Sequence, residues 1–238
     1  MEVGLFYVCP LCRLTFRPNG FGKSMCEQCY ELAYKEIFPK CQRLKIGLKY
    51  LERMAPVCSL YHYRHSIRSL VLNAKVSNEW RSVDACKQLM LNHPGLRDYL
   101  TGVEAVMPAP SSLWGRWRGR TDLAYILAQS ISESFGVPMV LAPLKYYWRY
   151  QKRARIPGEI RRDHGTLGSL KKDYASNLTD SLGPYLIVDD VITTGHTLAT
   201  LQAGLGYNYR FLAFASAFKD GQGQHDACDS EQDTANHP

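Results

Sequence analysis

Apolar positions recur along this chain in two rhythms, and each change of rhythm marks an element. In YHYRHSIRSLVLNAK, residues 61–75, Ile67, Leu70, Val71 and Ala74 fall at helical spacing, and residues 81–92 read as a second helix. GVEAVMPAP, residues 102–110, is apolar and closed by two prolines, the pattern of a buried strand leaving into a loop. Residues 121–135 then place Leu123, Ile126, Leu127, Ser130 and Ile131 on one helical face. VPMVLAPL, closed by Pro143, reads as a second strand, PYLIVDD as a third and YRFLAFASAF as the last, with a helix over residues 197–205 between those two. The basic stretch 145–173 has no clear period and reads as a long loop or hairpin. Strand, helix, strand, loop, strand, helix, strand predicts an α/β fold, a mostly parallel sheet covered on both faces.

Composition fits that picture. At 238 residues, 45% hydrophobic and 21% charged, the chain is long enough for one α/β core and a small appendage. No apolar run approaches the roughly 20 residues of a membrane-spanning helix, so no membrane span is expected. MEVGLFYVCPLCR lacks a basic segment leading into a long apolar one, so no secretory signal and a cytoplasmic location are expected. Residues 219–238 lack apolar periodicity and are expected to form a disordered acidic tail.

The net charge of +7 is moderate, but it is clustered. Lys145, Arg149, Lys152, Arg153, Arg155, Arg161 and Arg162 are opposed in their window only by Glu159, and Arg116, Arg118 and Arg120 form a second group. Such patches suit phosphate-bearing partners, whether a nucleotide or a nucleic-acid backbone. Trp148, Tyr150 and their neighbours interleave with Arg149, Lys152 and Arg153, the requirement of a groove in which bases stack beside cations. Single-stranded DNA is therefore a candidate partner.

Eight cysteines in a cytoplasmic-looking chain point to metal rather than to a disulfide framework. Cys9 and Cys12 form one CxxC pair and Cys26 and Cys29 another, thirteen residues apart. Tetrahedral zinc takes four thiolates, and a CxxC turn sets two sulfurs on one side of the ion. Residues 1–40 are thus expected to be a structural zinc ribbon, with no open position for a catalytic water. Cys41, Cys58, Cys86 and Cys228 have no partner at ligand spacing. GFGKS, residues 20–24, resembles the end of a phosphate-binding loop, but Arg17 stands where that loop needs glycine and no strand precedes it.

The sharpest chemistry lies in PYLIVDDVITTGHTL. Asp189 and Asp190 come at the carboxyl end of an expected parallel strand, where open α/β sheets bind ligands. Behind them Gly195 permits a tight turn, and successive backbone N–H groups with Thr193, Thr194 and Thr197 make a cradle for phosphate. Two acids would repel a bare phosphate, so they are expected to hold another part of the same ligand: two ribose hydroxyls, or a magnesium ion through water. Together these groups describe a ribose 5-phosphate site.

Residues 185–197 match the thirteen-residue signature of type I phosphoribosyltransferases: four apolar residues, two acids, two apolar residues, then Thr-Thr-Gly-x-Thr. The resemblance implies that Asp189 and Asp190 contact the ribose hydroxyls of phosphoribosyl pyrophosphate (PRPP). It also implies that Thr193, Thr194, Gly195, His196 and Thr197 hold its 5-phosphate. A four-cysteine ribbon, a YxYxxxIRxLVxxxK segment, PAP followed by RxRGR, and this loop together resemble the ComF family, phosphoribosyltransferase-like proteins linked to bacterial DNA uptake. That resemblance implies a 1–40 ribbon, a 41–56 linker, a 57–218 phosphoribosyltransferase-like domain and a 219–238 tail. It places pyrophosphate near Ala109, Pro110, Ser111 and Arg118. Where the family reads Arg-Gly-Phe-Asn-Gln, this chain has Arg118-Gly119-Arg120-Thr121-Asp122, which puts a carboxylate toward the anion.

Three functions follow from the resemblance: a PRPP-binding protein of DNA uptake or processing, an active Mg²⁺-dependent transferase on an unidentified acceptor, or a PRPP-sensing adaptor that docks a helicase-like competence protein. No catalytic residue is assigned by the sequence.

Overall fold

Both faces of the strand spelled YLIVDDVI are covered, and the rest of the fold is arranged around it. The structure, a computed structural model, describes residues 6–18, 24–37, 43–48, 51–110, 119–141, 184–193, 198 and 209–217. The Cys-rich segment contributes β1 (Tyr7–Val8), β2 (Thr15–Phe16) and α1 (Glu27–Tyr34). A hairpin of β3 (Arg43–Leu48) and β4 (Leu51–His62) leads to α2 (His65–Val76), α3 (Trp80–Leu91) and α4 (Leu96–Leu100). The chain continues as β5 (Ala105–Pro108), α5 (Leu123–Phe135), β6 (Tyr185–Ile192) and β7 (Tyr209–Ser216).

The sheet runs β3-β4-β7-β6-β5. From β4 to β5 its four strands are parallel, and β3 closes one edge antiparallel to β4. At the other edge Met139 bridges Val106 in parallel, held by Val106 N–H to Pro138 O and Val140 N–H to Val106 O, each 2.9 Å. The strand expected in VPMVLAPL joins the sheet there, through that bridge among the described residues. The α/β class with a parallel sheet flanked by helices is therefore as the hydrophobic rhythm predicts.

Strand alternation sorts the core into two layers. Leu186 and Val188 of β6, with Leu60, Val106, Leu212 and Phe214 of the other strands, are buried against Ile67, Leu70 and Val71 of α2, Leu89 of α3 and Leu127 of α5. Ile187, Met107, Phe211 and Ala213 face the opposite side, where Leu198 joins them. Each fully buried aliphatic side chain stabilises the fold by about 1.5–3 kcal/mol, so these faces hold the site's scaffold in place.

Two segments depart from the sequence reading. Residues 43–48 and 51–56, expected within a linker, form β3 and the first half of β4. Leu44, Ile46 and Leu48 alternate with Lys45 and Gly47, a short lysine-bearing pattern typical of an edge strand. The helix expected in YHYRHSIRSLVLNAK starts only at His65. Tyr61 and His62 instead complete β4, because they pair with Ala215 and Ser216 of β7. Cys58 on β4 is disulfide-bonded and Cys86 is free and buried, and among the described residues neither belongs to a metal-ligating cluster. Cys41, Cys228 and the expected tail at 219–238 lie outside the described residues.

The Cys-rich segment packs onto the helical layer. Cys9, Cys29, Tyr30 and Ala33 belong to the same buried cluster as Ile67 and Leu70. Arg81 Nη1 donates to Val8 O at 3.3 Å, Asn73 Nδ2 to Pro10 O at 3.5 Å, and Arg13 pairs with Glu79. Glu36 does more. Its backbone O accepts from His62 N–H at 2.8 Å, while its buried carboxylate accepts from Ser66 N–H at 3.0 Å and Ile67 N–H at 3.3 Å. These are donors of the first turn of α2, whose own cap residue Arg64 offers no side-chain acceptor. Glu36 therefore caps a helix that begins 29 residues later (65 minus 36) and brings a negative charge to its positive end.

Candidate functional site

Metal-ligating chemistry is built from two turns. Cys9 N–H donates to Leu14 O at 2.9 Å and Arg13 N–H to Cys9 O at 3.0 Å, closing the first knuckle between β1 and β2. Cys26 stands at the N-terminus of α1 and Cys29 one turn further, on its buried side. The four sulfurs all lie within 4.8 Å of one another, and Cys12 Sγ is 3.7 Å from Cys26 Sγ. Tetrahedral zinc with Zn–S near 2.3 Å demands an S···S edge of about 3.8 Å, so the cluster can hold a metal ion such as zinc. Burial disfavours the Cys9 thiolate, but backbone N–H groups of Cys26, Cys12 and Leu11 outweigh it and bring its pKa down to about 7. Burial pushes Cys29 strongly upward, and the neighbouring sulfurs add to that. Crowded thiols of this kind ionise together when a cation compensates them.

The second candidate region is the carboxyl end of β6. Asp189 and Asp190 sit inside the strand rather than just beyond it, since the ladder continues to Ile192, whose O accepts from Ala217 N–H at 2.9 Å. Successive side chains alternate, so the two carboxylates leave the strand in different directions, yet both stay close enough to Lys75 for its charge to act on each. Asp190 shares its face with Leu186 and Val188, is 8% exposed, and meets Lys75 Nζ of α2 at 2.6 Å. Its charge reaches the buried thiol of Cys86, which burial and then Asp190 push far up. Asp189 is half-buried, and its Oδ1 accepts from Asp190 N–H at 2.8 Å. Burial, then the charge of Asp190, raise the Asp189 pKa to about 7, against the opposing pull of the Asp190 N–H and Lys75. Burial alone would lower the Lys75 pKa, but Asp190 and then Asp189 outweigh it and raise it.

Asn78 escaped the sequence reading, and Lys75, which closes the YxYxxxIRxLVxxxK segment, was given no role by it. Lys75 follows the last buried residue of α2, Ala74, so the sequence showed it as a lysine at the edge of an apolar face and as the end of that segment. Asn78 adopts φ +51°, a left-handed conformation that asparagine tolerates better than most residues. Its Nδ2 donates to Gly119 O at 2.7 Å, and its Oδ1 accepts from Thr121 N–H and from Thr121 Oγ1, each at 2.9 Å. The corner after α2 thereby fixes the segment leading into α5. Asp122 caps α5 by accepting Tyr125 N–H at 3.3 Å. Its charge lies at a helix N-terminus, where a carboxylate is favoured.

Of the residues expected at the pyrophosphate side, Ala109 is buried and gives its N–H to Val188 O at 2.7 Å. That amide extends the sheet and is not offered to a ligand. Pro110 is half-buried and has no N–H to offer. Thr193 is exposed just beyond β6. Thr194, Gly195, His196, Thr197, Ser111, Arg118 and the patch of Trp148, Arg149, Tyr150, Lys152 and Arg153 lie outside the described residues. Among the described residues no helix is long and apolar enough to cross a membrane. No protein-family model matches the sequence, and no curated protein matches it.

Proposed function

We propose that the chain binds the ribose 5-phosphate portion of PRPP, with Mg²⁺, at the carboxyl end of β6. On this reading it is a phosphoribosyltransferase-like protein of the ComF type, acting in DNA uptake or in processing of internalised DNA. One observation supports the reading: YLIVDDVI, the first eight residues of the thirteen-residue signature, forms an inner strand of a parallel sheet with its two acids in the carboxyl-terminal half. Ligands of open α/β sheets occupy that position. The half-buried Asp189 and the paired Asp190 take ribose hydroxyls, and the backbone N–H groups of residues 193–197 take the 5-phosphate. Mg²⁺ arrives with the pyrophosphate. The four-cysteine cluster holds structural zinc, with no open ligand position for chemistry.

Turnover has less support than binding. The N–H of Ala109 is engaged in the sheet and Asp122 is engaged as a helix cap, so neither serves the pyrophosphate or an acceptor. The interleaved aromatic and basic residues around Trp148 and Arg149 supply the support for a single-stranded DNA partner.

Isothermal titration with PRPP and Mg²⁺ tests the reading. Saturable binding is expected for the wild type, and its loss in a folded Asp190→Asn variant. Absence of binding by the wild type, or undiminished affinity in Asp190→Asn, overturns it.

A further inference from the structure

We propose that Lys75 is a positioning residue of the ribose site: its ammonium fixes the direction of the Asp190 carboxylate and halves the negative charge beside the bound sugar phosphate. The inference rests on the ribose 5-phosphate reading and adds to it a residue from a different element, some 115 residues earlier in the chain (190 minus 75).

Three observations support it. Asp190 is almost wholly buried on the helical face of the sheet, where an unpaired carboxylate is costly. Lys75 Nζ lies 2.6 Å from its Oδ2, while the Lys75 side chain remains 37% exposed. The pair therefore sits at the boundary between core and solvent, where a ligand hydroxyl can approach it. Finally, α2 is anchored at both ends, by Glu36 on the amides of Ser66 and Ile67, and by Asn78 on Gly119 and Thr121. The ammonium is thus carried by a helix that has little freedom to shift.

The charge count explains why two acids tolerate an anionic ligand. Asp189 and Asp190 alone present up to two negative charges to a phosphorylated sugar. With Lys75 in contact, the group carries at most one. Coulomb repulsion over a few ångströms falls accordingly, and the lysine selects which way Asp190 faces. A charge-assisted hydrogen bond of this length is directional as well as strong.

The test compares wild type, Lys75→Met and Lys75→Arg by isothermal titration with PRPP and Mg²⁺, and separately with ribose 5-phosphate and 2-deoxyribose 5-phosphate. Thermal melts establish that each variant is folded at the titration temperature. Lys75→Met is expected to weaken PRPP binding by about tenfold or more, and Lys75→Arg to restore most of it. The preference of the wild type for ribose over 2-deoxyribose 5-phosphate should shrink in Lys75→Met, because Asp190 no longer holds its direction. A Lys75→Met protein that melts lower yet keeps both its affinity and its ribose preference gives Lys75 a structural role only and overturns the inference. If the wild type binds neither sugar phosphate, the ribose reading itself fails, which is a different outcome.

Discussion

Replacing Glu36 with alanine removes a carboxylate that joins the Cys-rich segment to the α/β core. Two backbone N–H groups, of Ser66 and Ile67, lose their acceptor, and Ile67 is fully buried. Each amide left unsatisfied away from water costs about 1–3 kcal/mol. Loss of a negative charge at the first turn of α2 adds about 0.3–1 kcal/mol, and Arg64 supplies no substitute cap. Partial access of water to Ser66 reduces the sum, so a destabilisation of about 2–4 kcal/mol is expected for Glu36→Ala. Glu36→Gln keeps one acceptor oxygen and should cost about half as much. In a chain of this size 1 kcal/mol shifts the melting temperature by about 2–4 °C, so Glu36→Ala should melt roughly 4–16 °C lower. Urea denaturation followed by far-UV circular dichroism measures the difference directly. A Glu36→Ala protein within about 0.5 kcal/mol of wild type refutes the capping argument.

Other consequences concern the metal, the acids and the corner after α2. One metal ion per chain is expected by elemental analysis, and Cys29→Ser should lose it. Because Cys29 and α1 share the main core, a strong chelator should lower the melting temperature of the whole chain, and an unchanged melt contradicts the docking. Asp189 binds its proton more tightly in the fold, at about 7 against an ordinary 3.8. Stability should therefore fall as pH rises from about 4 to about 7 and level off above, the slope within that window being at most about 1.4 kcal/mol for each step of one in pH. Asp189→Asn removes that slope and should be more stable than wild type at pH 8; parallel pH profiles argue against the raised pKa of Asp189. Asn78→Ala loses its hydrogen bonds and keeps the strained left-handed backbone, whereas Asn78→Gly loses only the bonds. Alanine should be the worse by about 1 kcal/mol in thermal unfolding, and equal losses contradict the backbone argument.

The helices α2, α3 and α5 and the strands β5, β6 and β7 were legible in the sequence because each buries a periodic apolar face. The four-cysteine cluster was legible because a CxxC spacing is a local constraint. β3 and the first half of β4 were not, since Arg43, Lys45, Glu52 and Arg53 interrupt the apolar positions of that segment and leave no clear period. The pairing of Lys75 with Asp190 was invisible for a different reason: it depends on where α2 crosses β6, and no periodicity encodes a crossing. Both acids of DDVITTG looked equivalent along the chain, and only strand alternation sends one toward Lys75 and leaves the other half-buried. Asp122 looked like a charge facing a ligand, whereas the start of α5 claims it.

Residue-resolved amide chemical shifts, followed while ribose 5-phosphate is titrated into the protein, test the central claim most directly. The account predicts saturable shifts concentrated on the backbone N–H groups of residues 193–197 and on Asp189 and Asp190. Shifts confined to other parts of the chain, or none at millimolar ligand, contradict a phosphate seated on the turn after β6.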